Sequence, residues 1–344
     1  MIQALNSMML TDLAFPTAWQ DGAARAAQAL LDHDNYLVAA HVRLDGDALS
    51  SILAMAHFLE QKHKRFALFA PFGVPGNYDF VPLPYPVYKT LSALPFEPRA
   101  LIALDCGVPA RLGEELSEAM ADLSCINIDH HHGQGMGTIA SFVEPEAAST
   151  TQLLASVLRK AGAEFTPEIA SALALGLVTD TGGFRHANAS PAVFALAAFL
   201  ESHGASIHRL RESLEKNWSL ARMKLWGKMS ERLTLEQEDK LAMCILPLDL
   251  LERYGCKSED TEGFVEHMRE LRSVRIACFL REQNLDVCKF SLRSVEDMDV
   301  NAIASSLGGG GHRNAAGGTL AMSLERASEL LRRTIAQSLA SQGA

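Results

Sequence analysis

Short apolar runs separated by helical patterns constrain this chain more than any other feature. Tyr36–Ala40, Phe66–Ala70, Ala100–Leu104 and Cys125–Ile128 are apolar almost throughout and do not alternate with polar residues. A strand exposed on one face alternates; a strand covered on both faces does not. Amphipathic or apolar helical patterns lie between and after them, at Ala48–Gln61, Ser149–Ala161, Pro167–Val178 and Pro191–His203. The expected fold class is therefore α/β, a parallel sheet with helices on its faces. Pro71–Pro98 is rich in proline and glycine and reads as a long irregular insertion.

The texture changes in the second half. Ser206–Leu235 is proline-free and reads as a helical connector. Beyond it, Leu241–Leu246, Val274–Leu280 and Val287–Leu292 read as strands and Ser323–Ser338 as a closing helix. With 344 residues, the chain has the length of two domains. The expected division is 1–205, the connector 206–235, and a smaller α/β domain over 236–344.

The N-terminus has no basic start followed by a long apolar core, and no stretch reaches the roughly 20 apolar residues of a membrane span. The six cysteines are scattered, without a CxxC pair. Free thiols in a cytoplasmic protein that does not touch membranes are the expectation. The net charge of −10 disfavours long duplex nucleic acid.

Carboxylates and histidines stand where the apolar runs end. They are His41, Asp45 and Asp47; Asp105; Asp129, His130, His131 and His132; and Asp180, which follows a helical run. Ligands of open parallel sheets bind at the carboxyl ends of the strands, so the first three groups should converge. Each group alone has an ordinary use as a turn, a helix cap or a strand-end histidine. Together they argue for divalent cations, because isolated buried carboxylates are costly unless paired or bound to metal. Asp45, Asp47, Asp105 and Asp180 carry the charge that two divalent ions would balance.

These motifs resemble the DHH phosphoesterase family, whose Asp-His-His stands here at Asp129–His131. The glycine-rich GGGGHRNAAG over 308–317 resembles the motif of the DHH-associated domain. The resemblance covers nearly the whole chain and is greatest to the oligoribonuclease (nanoRNase) and pAp-phosphatase branch. Two departures are visible: Leu44 stands where the family commonly has proline, and Ser50 where it often has glycine. Neither removes a ligand.

The resemblance implies a dinuclear site in the first domain. One metal takes His41, Asp45 and Asp105; the other takes Asp47, Asp105, His130 and Asp180, with Asp105 shared. Mixed carboxylate and imidazole ligation suits Mn²⁺, with Co²⁺ or Mg²⁺ as substitutes. Asp129 orients its neighbours, His131 faces the substrate phosphate, and His132 is a bystander. Metals about 3.5–4 Å apart would activate water for in-line attack on phosphorus.

Gly308–Gly311 does not fit a Rossmann fingerprint, because Arg313 stands where the last glycine should be. It reads instead as an anion nest, with Gly310, Gly311, His312 and Asn314 as substrate contacts. Arg293 matches a family position associated with substrate binding, and Arg185 is a further candidate from the first domain. Guanidinium groups suit terminal phosphates. Two domains imply a cleft that favours short single-stranded oligoribonucleotides or nucleotide phosphates, and 7% aromatic residues argue against a long base-stacking groove. Hydrolysis of cyclic or linear dinucleotides, a RecJ-like single-strand exonuclease and an exopolyphosphatase are the alternative activities, and a non-catalytic nucleotide sensor is the alternative class. The chain leaves room for a homodimer, a state its sequence does not set.

Overall fold

The computed structural model describes residues 15–216, 218–295 and 298–342. It parts into two compact units between Asn217 and Trp218.

The first unit runs α1 (Gln20–Asp32), β1 (Tyr36–Ala39), α2 (Gly46–Gln61), β2 (Phe66–Phe69), β3 (Val87–Tyr88), β4 (Ala100–Leu104), α3 (Glu114–Ala119), β5 (Ser124–Asp129), β6 (Ala140–Val143), α4 (Thr150–Lys160), α5 (Pro167–Asp180), α6 (Pro191–Ser202) and α7 (Ile207–Glu215). Its six strands lie in the order β3-β2-β1-β4-β5-β6, and every neighbouring pair is parallel. Every residue of β1 and β4 is buried, which explains the unbroken apolar runs. One face packs Val38, Ile102 and Ile128 with the long helices. The other packs Leu37, Leu101 and Cys125 with Leu112 and Leu116.

The chain goes outward in opposite directions from β1 and β4, so these strands flank the topological switch point. In such sheets the crevice for ligands opens beyond the carboxyl ends of those strands. His41 follows β1 and Asp105 follows β4. Asn127, the polar break in β5, is buried and hydrogen-bonded at both ends of its amide. Its Nδ2 donates to the carbonyls of Ala103 and Cys106, both at 3.0 Å, and its Oδ1 accepts from Met136 N–H at 3.0 Å. It therefore ties down the loop that carries Asp105.

The segment 71–98 is largely irregular, and Tyr85 fastens it to α2. The Tyr85 hydroxyl hydrogen-bonds Glu60 Oε2 at 2.6 Å and His57 Nδ1 at 2.8 Å.

The second unit runs α8 (Leu220–Glu231), β7 (Thr234–Glu236), β8 (Leu241–Leu246), α9 (Leu248–Tyr254), α10 (Phe264–Arg269), β9 (Ile276–Asn284), β10 (Val287–Ser294), α11 (Val300–Ser306), β11 (Gly310–His312), β12 (Ala315–Leu320) and α12 (Leu324–Gln342). Its sheet has the order β11-β12-β10-β9-β8-β7 and is mixed, with only β8 and β9 parallel. Cys288, Phe290 and Leu292 of β10 point into one core; Lys289, Ser291 and Arg293 alternate to the opposite face.

Two expectations change. The segment 206–235 is not one helical connector. It breaks after Glu215, with α7 in the first unit and α8 in the second, and it ends in strand β7. Ser219 makes the new helix start by accepting a hydrogen bond from Arg222 N–H at 3.0 Å. The glycine run likewise includes a strand that the sequence did not announce. Gly310–His312 is an edge strand, in register with Gly317, Ala316 and Ala315 of β12. A Cβ on Gly311 would fall 2.5 Å from the Ala315 carbonyl oxygen, so glycine is what lets the two strands close.

Candidate metal centre

Asp45 and Asp47 are placed by the start of α2. Asp45 is its N-cap, accepting from Ala48 N–H at 3.0 Å, and Asp47 lies in the first turn, where the helix dipole favours negative charge. Asp105 holds a left-handed backbone (φ 53°) directly after β4. A non-glycine residue there is strained, a feature that clusters at functional sites. His130 and His131 leave the end of β5, and Asp180 ends α5.

Three overlapping donor groups result: His41, Asp45 and Asp105; Asp47, His130 and Asp180; and Asp105, His130 and His131. His41 Nε2 stands 3.4 Å from Asp45 Oδ2 and 3.3 Å from Asp105 Oδ2. His130 Nε2 stands 3.5 Å from Asp105 Oδ1 and 3.2 Å from Asp180 Oδ2. Donor atoms bound at about 2.0–2.2 Å to one ion stand about 3.0–3.5 Å from each other, so these separations fit shared coordination. His41 Nε2 is also buried without a hydrogen bond, as a ring nitrogen awaiting a cation would be. The donor set fits a divalent metal.

The local electrostatics agree. Burial, and then the Asp105 carboxylate, push the Asp47 pKa well up. Burial, and then Asp47 and Asp105, do the same to Asp180. Such a cluster needs cations. Burial disfavours a charged His41, but the carboxylates of Asp105 and Asp45 outweigh it and raise its pKa to about 9. Burial lowers that of His130, keeping its ring neutral as a ligand must be. His130 Nδ1 lies 3.3 Å from the Ala147 carbonyl, which orients Nε2 toward the carboxylates.

Asp129 does not join a carboxylate group but grips His131, Oδ1 to Nδ1 at 2.8 Å. Burial opposes its charge, yet His131 holds its pKa low. The same bond raises the pKa of His131 against burial. Asp129 Oδ2 is buried without a partner, and a Cβ on Gly107 would fall 2.6 Å from it. Gly107 therefore makes room for this carboxylate. His132 is exposed.

Of the expected substrate contacts, Arg185 Nε donates to the Gly182 carbonyl at 3.0 Å. In the second unit, Arg293 pairs with Glu266, Nε to Oε1 at 2.8 Å and Nη2 to Oε1 at 2.7 Å. His312 is exposed at the strand edge beside Gly310 and Gly311. The Asn314 amide is engaged in the protein, donating to Ser294 Oγ at 2.9 Å and to the Met298 carbonyl at 3.3 Å. It braces the loop after β10.

Sequence reasoning overlooked Thr150 and Thr151, which reach the carboxylates from the N-terminus of α4. Their signal was faint: hydroxyl residues at a helix start are commonplace caps.

Residues 35–177 match the DHH family N-terminal domain, and residues 240–337 match the DHHA1 domain. The chain is 32% identical over 308 residues to the bifunctional oligoribonuclease and PAP phosphatase NrnA of Thermus thermophilus, covering 89% of this chain and 90% of that one. It is 24% identical over 294 residues to the protein of the same name from Mycoplasma genitalium, covering 85% and 90%. Among solved structures it resembles an exopolyphosphatase-related protein from Bacteroides fragilis, with a TM-score of 0.84 and 25% identity over 93% of this chain and 96% of that one. The fold also matches RecJ of Thermus thermophilus in complex with Mn²⁺, with a TM-score of 0.57 and 16% identity over 96% of this chain and 56% of that one. With both domains matched and a relative this similar along most of its length, the chain belongs to the DHH family.

Proposed function

We propose that this protein is a metal-dependent phosphoesterase that hydrolyses short oligoribonucleotides and 3′-phosphoadenosine 5′-phosphate. One observation carries the reading: Asp105, at the switch point of the sheet, is shared between the donor group of His41 and Asp45 and that of His130 and His131, and His130 in turn joins Asp47 and Asp180 in a third. The similarity to NrnA proteins along most of the chain supports the substrate class.

Two divalent ions, Mn²⁺ by preference with Co²⁺ or Mg²⁺ as substitutes, fit the donor set. His41, Asp45 and Asp105 would hold one; Asp47, Asp105, His130 and Asp180 the other. When bound, the ions supply positive charge to the phosphate and acidify water.

The remaining work falls to side chains. Asp129 is ionised and accepts from His131, so the proton of that bond sits on His131 Nδ1. This leaves the Nε2 edge of the ring to protonate the leaving oxygen, the role of a general acid. His312, the backbone of Gly310 and Gly311, Arg293 and Arg185 bind substrate phosphates, while Asn314 acts by bracing the loop beside them. We assign catalysis to the first unit and most of the substrate binding to the second, with Arg185 as the contact from the first. The net charge of −10 leaves long duplexes outside the substrate range.

A substrate panel tests the assignment: pAp, di- to pentaribonucleotides, cyclic dinucleotides and inorganic polyphosphate. Turnover of pAp and the shortest RNAs well above the others supports it. Preference for polyphosphate would favour the second reading, which rests on the likeness to the exopolyphosphatase-related structure.

A further inference from the structure

The N-terminus of α4 holds two candidate ligand carboxylates at once. Thr150 N–H donates to Asp47 Oδ2 at 2.6 Å, and Thr150 Oγ1 donates to Asp105 Oδ1 at 2.9 Å. Thr151 gives Asp47 Oδ1 two more bonds, from N–H at 3.0 Å and from Oγ1 at 2.8 Å. Thr150, Thr151, Asp47 and Asp105 are all buried.

The geometry is tightly determined. Ser149 caps α4, accepting from Gln152 N–H at 3.1 Å, and its Oγ lies 2.8 Å from Thr151 Oγ1. From the other side α5 closes in. A Cβ on Gly176 would stand 2.5 Å from both Asp47 Oδ1 and Thr151 Cγ2.

Counting acceptor directions shows what the bonds leave free. A carboxylate offers about four. Asp47 uses three on α4, two at Oδ1 and one at Oδ2, so its open direction is on Oδ2. Asp105 is divided differently: Oδ2 faces His41, and Oδ1 faces His130. The Thr150 hydroxyl bonds Oδ1 and so fixes the rotation of the carboxylate that decides this division.

We propose that Thr150 is a positioning residue that sets the shared carboxylate, and with it both metal positions, whereas Thr151 sets only the position that includes Asp47. The inference rests on the two-ion reading above. Backbone bonds to Asp47 survive any substitution at either site, so the side-chain hydroxyls can be tested separately.

The experiment is calorimetric titration of the metal-free full chain with Mn²⁺, with Co²⁺ absorbance as a second readout of ligand geometry. Thr150→Val should weaken binding of both ions by roughly 10–100-fold, the usual effect of losing a group that orients a ligand. Thr150→Ser restores the hydroxyl and should return affinity to within about 3-fold of wild type. Thr151→Val should weaken one ion by a similar factor and leave the other unchanged. Equal affinity in Thr150→Val and wild type overturns the proposal, as does a Thr150→Ser variant as weak as Thr150→Val. Thr151→Val provides an independent arm: equal weakening of both ions there overturns the asymmetry. A wild-type chain that binds no divalent ion overturns the two-ion reading together with this one; wild-type binding with an unaffected Thr150→Val overturns this one alone.

Discussion

His41 Nε2 stands 3.3 Å from Asp105 Oδ2, yet the buried ring nitrogen has no hydrogen bond. Both atoms belong, with Asp45, to one donor group fit to hold a cation. Thr150 secures the carboxylate from behind, so the pairing is set by three separate elements: the ends of β1 and β4 and the start of α4.

Asp105→Asn should lower kcat by roughly 1000-fold or more, about 4 kcal/mol of barrier, because it weakens both ligand groups. Steady-state kinetics with added Mn²⁺ checks this. A rate near wild type contradicts the shared-ligand assignment.

Binding of divalent ions should tighten as pH rises from 6 to 8. The pKa of His41 is raised to about 9, and those of Asp47 and Asp180 are raised by burial and neighbouring carboxylates. His41 retains a proton in the metal-free protein that an ion must displace, and the raised pKa values of the two carboxyls act in the same direction. For the metal-free fold the sign is opposite: groups with raised pKa values favour folding while protonated, so their contribution is lost as pH rises through those values. Calorimetry in two buffers of different ionisation enthalpy measures the released protons. Ion affinity independent of pH would contradict the coupling.

Gly107→Ala should separate catalysis from metal binding. The added methyl would fall 2.6 Å from Asp129 Oδ2 and displace the carboxylate that orients His131. Loss of a positioned general acid should cost roughly 100-fold in kcat, with Mn²⁺ affinity within about 3-fold of wild type. Unchanged kcat would remove His131 from that role.

Arg293→Ala and His312→Ala should each raise KM roughly 10-fold without altering Mn²⁺ affinity. Glu266→Ala separates binding from bracing, since Glu266 is the partner of Arg293. If Arg293 only braces the second unit, Glu266→Ala reproduces the defect of Arg293→Ala. If it binds phosphate, Glu266→Ala leaves KM near wild type or lowers it.

The sheet and the acidic cluster were legible for one physical reason. Strands covered on both faces are apolar along their length, so a charge directly after one, such as Asp105 after Leu104, marks where the chain reaches the open end of the sheet. The same logic fails where strands are short or rich in small residues. Ala140–Val143 and Gly310–His312 carry too little apolar signal to announce β6 and β11. Thr150 was invisible because its role depends on Asp47 and Asp105, more than 40 residues away along the chain. The Arg293–Glu266 pair spans 27 residues and two elements, a contact that no local pattern encodes. The break after Glu215 was missed because Ser219 signals a helix start within a run that already looked helical.

The most direct test of the central claim uses metal-stripped protein with a diribonucleotide and, separately, pAp. The prediction is no turnover without a divalent ion, and restored hydrolysis of both substrates on adding Mn²⁺. Hydrolysis at the same rate in the stripped and reloaded protein, or no hydrolysis of either substrate with Mn²⁺, Co²⁺ or Mg²⁺, would contradict it.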